Sequence, residues 1–385
     1  MRILHTSDWH VGVALKGRSR LDEQRAVFGQ IVDIAREERP DLVIVAGDLY
    51  DTAAPSSAAQ KVLTGTLSAL RGTGAEVVAI AGNHDNGPGL EALRGWAHEA
   101  GIHLRGRIGK SADHLITGET SVGERWRMAA LPFVSQRYAV RAAELFELSA
   151  ADTESAYADH LRRMIAALSQ SFSADEVDLI CGHLTVVGGK VGGGEREVHT
   201  VADYAVPAAV FPSSTNYVAL GHLHKSQKIE GPCPIRYSGG PLAVDFGEED
   251  HTPSVTLVDV TADTPARVRL VPLTEAVPLQ TLRGTLDELR QAEVDQRAWL
   301  RVFVNEPARA GLRGEVADLF PRAVQIHIDP GMRLDAAAPR QRRSGRSPGE
   351  LFDAYLAETG HDDPAVAKLF AELYEQTQTV AAEET

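Results

Sequence analysis

The first hundred residues alternate between short apolar runs and longer segments with helical spacing. The apolar runs lie at residues 2–7, 42–45 and 77–81. They are short and continuous, as expected for strands that are buried on both faces. Residues 21–36 carry apolar side chains on one helical face, and Ser56 or Ser57 is placed to cap a second helix. This alternation predicts a parallel βαβαβ unit with right-handed connections.

Strand-like runs continue beyond residue 100 and predict a second sheet. A helical stretch at 153–171 leads to a strand at 177–181. We expect the strands that follow to form a second sheet stacked on the first, with helices flanking both. These later strands are predicted at 217–220, 227–229, 235–237, 255–260 and 267–271.

The composition changes around Pro272, and the rest of the chain divides into smaller pieces. Strand-like and helical segments alternate again after this point, which predicts a small α/β capping domain. A stretch rich in Arg, Ala, Pro and Ser then predicts a linker, and two short amphipathic helices predict a C-terminal arm. The predicted pieces are the main domain at 1–271, the capping domain at 272–330, the linker at 331–346, the arm at 347–376 and a disordered tail at 377–385.

The arm carries two apolar stripes at helical spacing and has no core of its own. A short amphipathic helix that cannot bury its stripe internally needs a partner surface. Packing onto the chain's own core is the alternative. The stripe residues are the candidate partner-binding residues, namely Leu351, Phe352, Tyr355, Leu356, Val366, Leu369, Phe370 and Leu373.

Composition and charge narrow the class of protein. The chain has 385 residues, 43% of them hydrophobic, which is enough for a sizeable core. The net charge of −14 argues against a simple basic DNA-binding protein, although bound metal ions can neutralise phosphate locally. There are 2 cysteines, no apolar run long enough for a membrane helix, and an N-terminus that enters a strand directly. We therefore expect a cytoplasmic protein that is not bound to a membrane.

A polar turn follows each of five predicted strands. These turns begin near residues 7, 47, 82, 182 and 221, and each offers carboxylate, amide or imidazole groups. Because ligands bind at the carboxyl ends of the strands in such sheets, we expect these side chains to converge. The candidate metal ligands are Asp8, His10, Asp48, Asn83, His183, His222 and His224.

Seven protein ligands exceed what one metal ion holds, so the set predicts two ions. Asp48 is the expected bridge between them because its strand is central, and bridged ions lie about 3.5–4 Å apart. Imidazole with oxygen ligands suits manganese, iron or zinc better than magnesium. Each motif taken singly also fits a helix cap, a turn or a surface histidine. Their coincidence at five strand ends favours the metal site.

Some residues near these turns stay open between two interpretations. Asp51, Asp85 and His5 could orient a ligand imidazole from behind or be ordinary turn and strand residues. A glycine-rich loop at 188–194 follows His183 and fits either a phosphate cradle or a flexible lid. No helix with P-loop spacing follows this loop.

The motifs resemble those of the calcineurin-like metallophosphoesterase superfamily. Longer strings at 1–10, 45–52, 81–85 and 237–241 are similar to the SbcD family of bacterial nucleases within it. Archaeal relatives carry a histidine where Asp51 stands, so no role is transferred to that residue. The motifs that carry the resemblance are Asp8-Trp9-His10, Gly47-Asp48-Leu49-Tyr50-Asp51, Gly82-Asn83-His84-Asp85, Gly182-His183 and Gly221-His222-Leu223-His224.

The resemblance implies a four-layer α/β/β/α sandwich that cleaves DNA with two divalent ions, manganese being favoured. It implies exonuclease action on duplex ends and endonuclease action, including on hairpins, in DNA repair, recombination and replication. His84 is implied to face the scissile phosphate as a catalytic residue. The implied partners are DNA and an SbcC-type ATPase, with a homodimer of this chain inside a heterotetramer.

Two other functions are compatible with the same motifs. One is a phosphatase or small-ester phosphodiesterase of the same superfamily, and the predicted partner-binding arm argues against it. The other is a non-catalytic scaffold that binds DNA ends, and the complete set of metal ligands argues against that.

Overall fold

The computed structural model describes residues 1–135, 157–195 and 205–328, together with residues 352, 356, 366, 369 and 370. Contacts divide the chain into two units, Met1–Arg333 and Leu334–Thr385. All of the predicted linker and all of the predicted tail lie outside the described residues. The predicted domain boundaries stay predictions. Among the described residues, no helix has the length and apolar character needed to cross a membrane.

The first unit is built from short strands and helices. Its described strands are β1 (Arg2–Thr6), β2 (Ala14–Leu15), β3 (Arg18–Ser19), β4 (Leu42–Ala46), β5 (Glu76–Ile80), β6 (Ile102–Arg105), β7 (Leu115–Glu119), β8 (Arg125–Leu131), β9 (Val177–His183), β10 (Thr185–Val186), β11 (Ala205–Val206), β12 (Tyr217–Gly221), β13 (Gln227–Ile229), β14 (Ile235–Tyr237), β15 (Ser254–Asp259), β16 (Arg267–Pro272), β17 (Leu279–Gly284), β18 (Trp299–Val304) and β19 (Ala323–Ile328). Its described helices are α1 (Leu21–Glu38), α2 (Ser57–Arg71), α3 (Gly87–Ala92), α4 (Arg94–Glu99), α5 (Tyr157–Ser169), α6 (Leu286–Gln291) and α7 (Leu312–Leu319).

Two six-stranded sheets form the body of this unit. Their strand orders are β16-β15-β1-β4-β5-β6 and β13-β14-β12-β9-β8-β7. In the first sheet β1, β4, β5 and β6 are parallel, which confirms the predicted parallel unit. In the second sheet β14, β12, β9 and β8 are parallel, and β13 and β7 close the two edges in antiparallel fashion.

The sheets stack because their central strands are apolar on both faces. All five residues of β4 are buried, and alternate side chains of a strand point to opposite faces. Val43 and Val45 pack in a cluster with side chains of α1 and α2. Ile44 packs in a different cluster with Met128 and Leu179 of the second sheet. Side chains of α5 cover the other face of that sheet, so the predicted four-layer α/β/β/α sandwich is confirmed.

One part of the predicted sheet arrangement is wrong. The strands expected at 255–260 and 267–271 exist, but they extend the first sheet rather than the second. The chain returns so that β15 pairs antiparallel with β1, placing Leu257 opposite Leu4. Leu257 thereby packs with the α1 side of the first sheet, and Val258 packs between the sheets. This pairing gives β1 a neighbour on each side.

The segment after β16 forms a small α/β layer with its own core. Its strands β17, β18 and β19 are parallel, and the apolar sides of α6 and α7 pack on them. The predicted capping box is confirmed, with Thr285 and Glu288 bonding to each other's backbone N–H. Leu279 of β17 shares a small cluster with Phe246 and Leu15. Through Phe246 this layer contacts the short 3₁₀ turn Phe246–Glu248, which lies beside the candidate site described next.

Candidate dinuclear metal centre

Several predicted ligands sit in backbone conformations that side chains rarely adopt. Asp8, His10, Asp48 and His222 have φ angles of 54°, 44°, 48° and 102°. Only two other described non-glycine residues have positive φ. Such strain persists only where the surrounding structure holds it, and it clusters at functional sites. The turns after β1, β4 and β12 are therefore shaped by what their side chains must reach.

The first group of ligands converges between the turns after β1, β4 and β12. Asp8, His10, Asp48 and His224 each place one ligand atom within 4.8 Å of the others. The two imidazole Nε2 atoms of His10 and His224 lie 3.0 Å apart, and His10 Nε2 lies 3.6 Å from Asp48 Oδ2. All four side chains are buried. We refer to this group as the first metal position.

The second group shares Asp48 with the first. Asp48, His183 and His222 also place ligand atoms within 4.8 Å of one another. Asn83 Oδ1 lies 3.0 Å from His183 Nε2 and 2.9 Å from His222 Nδ1. His183 Nε2 lies 3.4 Å from Asp48 Oδ2. We refer to these four residues as the second metal position, and the structure thus brings all seven predicted ligands together around Asp48.

The chemistry of both groups fits divalent cations. The first position offers two carboxylates and two imidazoles, and the second offers one carboxylate, one amide oxygen and two imidazoles. Nitrogen and oxygen donors in this mixture suit first-row metals. A shared carboxylate between two such positions is typical of dinuclear sites. When bound, the cations supply positive charge that stabilises a phosphoryl-transfer transition state and activates a water molecule.

Burial and charge act against each other in setting the pKa values of the ligands. Burial alone would raise the pKa of Asp48, yet the imidazoles of His183, His10 and His84 hold it well below its usual range. In return Asp48 raises the pKa of His183 to about 9, against the opposing effect of burial. Asp48 is therefore held as a carboxylate, which is the form that bridges cations.

Backbone groups and one glycine fix the second position. His183 Nδ1 lies 2.9 Å from the carbonyl oxygen of Ala46, which directs Nε2 toward Asp48 and Asn83. A Cβ atom on Gly47 would lie 2.1 Å from His183 Nδ1, and Gly47 has φ +91°. This position in the turn after β4 therefore requires glycine on both counts.

Asp85 links two of the turns. Its carboxylate accepts backbone N–H bonds from Gly82 at 2.8 Å, Leu49 at 3.0 Å and Tyr50 at 2.8 Å. These bonds tie the turn after β5 to the turn after β4. Burial and the nearby charge of Asp48 raise the pKa of Asp85 to about 7. The sequence left open whether Asp85 orients a ligand imidazole or is a turn residue. These three hydrogen bonds are all to backbone N–H groups, as expected for a turn residue.

His84 and Asp51 lie beside the first position. The ring of His84 is 4.6 Å from that of His10, centroid to centroid. His84 Nδ1 lies 2.8 Å from the backbone oxygen of Asp51, and its backbone N–H donates to Asp48 Oδ1 at 2.8 Å. The Asp51 carboxylate lies 3.7 Å from His10 Nδ1. Because Nδ1 of His84 is turned to the backbone oxygen of Asp51, Nε2 is the ring nitrogen that remains for a further contact.

His5 belongs to neither position. Its Nδ1 lies 3.0 Å from the hydroxyl of Tyr217, in the layer between the sheets. Burial lowers its pKa to about 3, so it is neutral. Cys181 is buried in the same layer, as expected for a core residue, and burial raises the pKa of its thiol.

Two carboxylates beside the site were not predicted. Glu248 Oε1 lies 2.6 Å from His224 Nδ1, and Glu195 Oε1 accepts the backbone N–H of His224 at 2.9 Å. Ser7 and Ser238 were also missed, and they bond to each other at 2.7 Å behind Asp8. The two serines lie in the strings 1–10 and 237–241, whereas neither glutamate stands in a motif with a fixed spacing. The one local signal for the glutamates is an acidic residue next to the glycine-rich loop, at Glu195, or close to Phe246, at Glu248.

The described residues of the arm are few. Phe352 and Phe370 stack on each other, with ring centroids 4.0 Å apart and an interplanar angle of 12°. Leu356 is buried, whereas Val366 and Leu369 are exposed. The other predicted partner-binding residues, Leu351, Tyr355 and Leu373, lie outside the described residues.

Comparison with known proteins gives these groups a family. The family model for calcineurin-like phosphoesterases matches residues 1–226, which contain all seven candidate ligands. The chain belongs to the calcineurin-like phosphoesterase family. A second model, described as a type 5 capsule protein repressor C-terminal domain, matches residues 275–360.

Curated relatives narrow the placement within the family. The chain is 37% identical over 316 residues to the SbcD component of the SbcCD nuclease of Bacillus subtilis, covering 78% of each chain. It is 35% identical over 390 residues to the Rhodobacter capsulatus protein of the same name, covering 92% of this chain and 94% of that one. Within the phosphoesterase family it therefore groups with the SbcD proteins. The structure is also similar to a solved dimetal phosphatase from Danio rerio. The match covers 72% of this chain and 99% of the phosphatase, with 13% identity and a TM-score of 0.44.

Proposed function

We propose that this chain is the nuclease component of an SbcCD-type complex and hydrolyses DNA phosphodiester bonds at a dinuclear metal site. The observation that carries the proposal is the pair of metal positions that share Asp48, with His84 beside them. The relatives named as components of the SbcCD nuclease give the substrate class. Exonuclease action on duplex ends and endonuclease action on hairpins are both included, in DNA repair, recombination and replication.

The side chains of this protein have distinct tasks in the proposed reaction. Asp8, Asp48 and Asn83 supply oxygen donors that place the cations, and the four imidazoles complete the two positions. His84 is fixed through Nδ1 by the backbone oxygen of Asp51, and we propose that its Nε2 contacts the substrate. There it stabilises the transition state or protonates the leaving oxygen, a contribution of roughly 10²–10⁴-fold in rate. We propose manganese as the metal because the donors mix imidazole with oxygen.

The partner proposal rests on the arm. Val366 and Leu369 are exposed in the second unit, and a helix with an exposed apolar stripe suits a groove on another protein. We propose that the arm binds the coiled-coil base of an SbcC-type ATPase, and that two copies of this chain form the homodimer of a cytoplasmic heterotetramer. Apolar burial of one such side chain contributes about 1.5–3 kcal/mol.

A digestion assay tests the nuclease proposal. Purified protein is incubated with Mn²⁺ and with blunt or hairpin duplexes, with and without the ATPase, and Asp48→Asn serves as the inactive control. We expect duplex ends to be degraded and hairpins to be opened, with stronger activity in the complex. Hydrolysis of small phosphate esters without any cleavage of DNA would instead support a phosphatase.

Deletion of the arm tests the partner proposal. A chain that ends at Arg346 should keep its metals and its melting temperature, because the two sheets and the metal positions lie in the first unit. It should fail to co-purify with the ATPase. Association at unchanged affinity would contradict the proposal, and a large fall in melting temperature would show that the arm packs on the chain's own core.

A further inference from the structure

His224 is held by carboxylates on two sides. Glu248 Oε1 lies 2.6 Å from its ring Nδ1, and Glu195 Oε1 accepts its backbone N–H at 2.9 Å. Glu248 is itself buried and fixed, because its Oε2 accepts the backbone N–H of Val244 at 2.8 Å. A carboxylate on Nδ1 makes that nitrogen the proton donor and leaves the lone pair on Nε2. Nε2 is the atom that faces His10 in the first metal position.

The glycine-rich loop packs against this pair. Glu195 also accepts the backbone N–H of Gly192 at 2.6 Å and of Gly193 at 2.7 Å, so one carboxylate fastens the loop to the turn that carries His224. A Cβ atom on Gly194 would lie 2.4 Å from Glu248 Oε1 and 3.0 Å from His224 Nδ1. Glycine at this point lets the backbone cover the pair closely. The N–H groups of Gly192 and Gly193 are bonded to Glu195, which argues against the phosphate-cradle interpretation.

The histidines of the second position are held differently. His183 Nδ1 faces the backbone oxygen of Ala46, whereas His222 turns Nδ1 toward Asn83, itself a candidate ligand of the second position. The outer nitrogen of His183 thus meets a backbone carbonyl, whereas that of His224 meets a carboxylate outside the ligand set.

We propose that Glu248 is a positioning residue that directs Nε2 of His224 into the first metal position, and that Glu195 holds the glycine-rich loop over this pair. The inference rests on the proposed metal site but not on the choice of substrate. Outer partners of ligating histidines typically change metal affinity by about 10–100-fold when removed. We expect an effect of that size at one of the two positions.

Calorimetric titration of metal-free protein with Mn²⁺ tests this. His224→Ala and His183→Ala first assign the two binding steps to the first and second positions. Glu248→Ala should then weaken the first step by about 10–100-fold and leave the second unchanged. Glu248→Gln keeps an oxygen that can accept from Nδ1 and should lose less. Glu249→Gln, at the neighbouring carboxylate that bonds to Thr281 instead, is the matched control and should change neither step.

Three results would overturn the proposal, namely unchanged binding in Glu248→Ala, equal weakening of both steps, or a loss in Glu248→Gln as large as in Glu248→Ala. The melting temperature of each metal-free variant reports on folding. If Glu248→Ala does not fold, Glu248→Gln and Gly194→Ala carry the test, because Gly194→Ala crowds the pair while leaving both carboxylates present. Two tightly bound Mn²⁺ ions in a wild-type protein that cleaves no DNA would contradict the nuclease function and leave this inference standing.

Discussion

The two metal positions share one carboxylate and have two imidazoles each, but they differ in the fourth ligand and in burial. The first has a second carboxylate, Asp8, and all of its side chains are buried. The second has an amide, Asn83, in the corresponding place, and that residue is half-buried. A full negative charge attracts a divalent cation more strongly than an amide dipole does, above all where water is excluded. We therefore expect the first position to fill at lower metal concentration and the second to exchange its ion more readily.

The difference shows how one scaffold makes two unequal sites. Both positions are built where parallel strands end, and both draw on the two sheets. Their geometry is therefore similar, while their strength follows from whether a carboxylate or an amide stands in each turn. Three kinds of variant separate the effect of geometry from that of ligand charge. One kind removes both positions, one removes neither, and one removes a single position.

The largest effect is expected from the shared ligand. Asp48→Asn removes the carboxylate charge from both positions at once, so both metals should be lost, along with activity on every substrate. Metal analysis after gel filtration measures this directly. Two ions still bound per chain would show that Asp48 is not the bridge.

A smaller effect, confined to turnover, is expected from His84. It contacts the backbone of Asp51 and belongs to neither metal position. His84→Ala should keep both metals and lose roughly 10²–10⁴-fold in kcat. Metal content and kcat are measured on the same preparation, and a parallel loss of metal would make His84 a ligand.

An effect on one position is expected from Gly47. Alanine there would place Cβ 2.1 Å from His183 Nδ1 and would also strain the backbone at φ +91°. We expect Gly47→Ala to weaken the second Mn²⁺ binding step while the first is largely kept.

Gly17→Ala is the matched control for Gly47→Ala. Gly17 has φ +85° and nothing within 4 Å of its Cβ direction, so its variant carries the backbone strain alone. That strain costs about 1–2 kcal/mol of unfolding free energy and should leave metal binding unchanged. Equal metal affinities in the two variants would mean that His183 adapts to the added methyl group.

The candidate site was largely predictable because its parts are local. Each ligand follows an apolar run directly, so strand and ligand are visible in the same few residues. Asp8 and His10 after β1, and His222 and His224 after β12, are examples. In a parallel sheet the carboxyl ends of the strands lie at the same edge, so the convergence of these turns can be predicted from the strand pattern alone.

What could not be predicted depends on contacts between distant segments. The pairing of β15 with β1 joins residues more than 250 positions apart in the chain. Arg20 carries a charge between β3 and α1, yet it is fully buried and donates to the backbone oxygens of Ala243 and Val277. Glu248 likewise reaches His224 only after the turn that carries it has folded back. The role of such groups follows from their tertiary contacts, which the spacing of residues along the sequence does not reveal.

The smallest effect is expected from His5, which is buried and belongs to neither metal position. Burial lowers its pKa to about 3 from an ordinary 6.5. Between these values the unfolded chain binds a proton that the native protein does not, so stability is lost as pH falls through this window. One such group changes the free energy of unfolding by about 1.4 kcal/mol per pH unit within this window. His5→Gln should lack this contribution, which is measured by urea unfolding of metal-free protein from pH 7 to pH 4.

Tyr217→Phe removes the hydroxyl near His5 Nδ1 but keeps the titrating ring, so it should retain the wild-type slope. Identical slopes in wild type and His5→Gln would show that His5 is protonated in the native protein. Burial would then not suffice to lower the pKa of His5 below that of His183, which Asp48 raises to about 9.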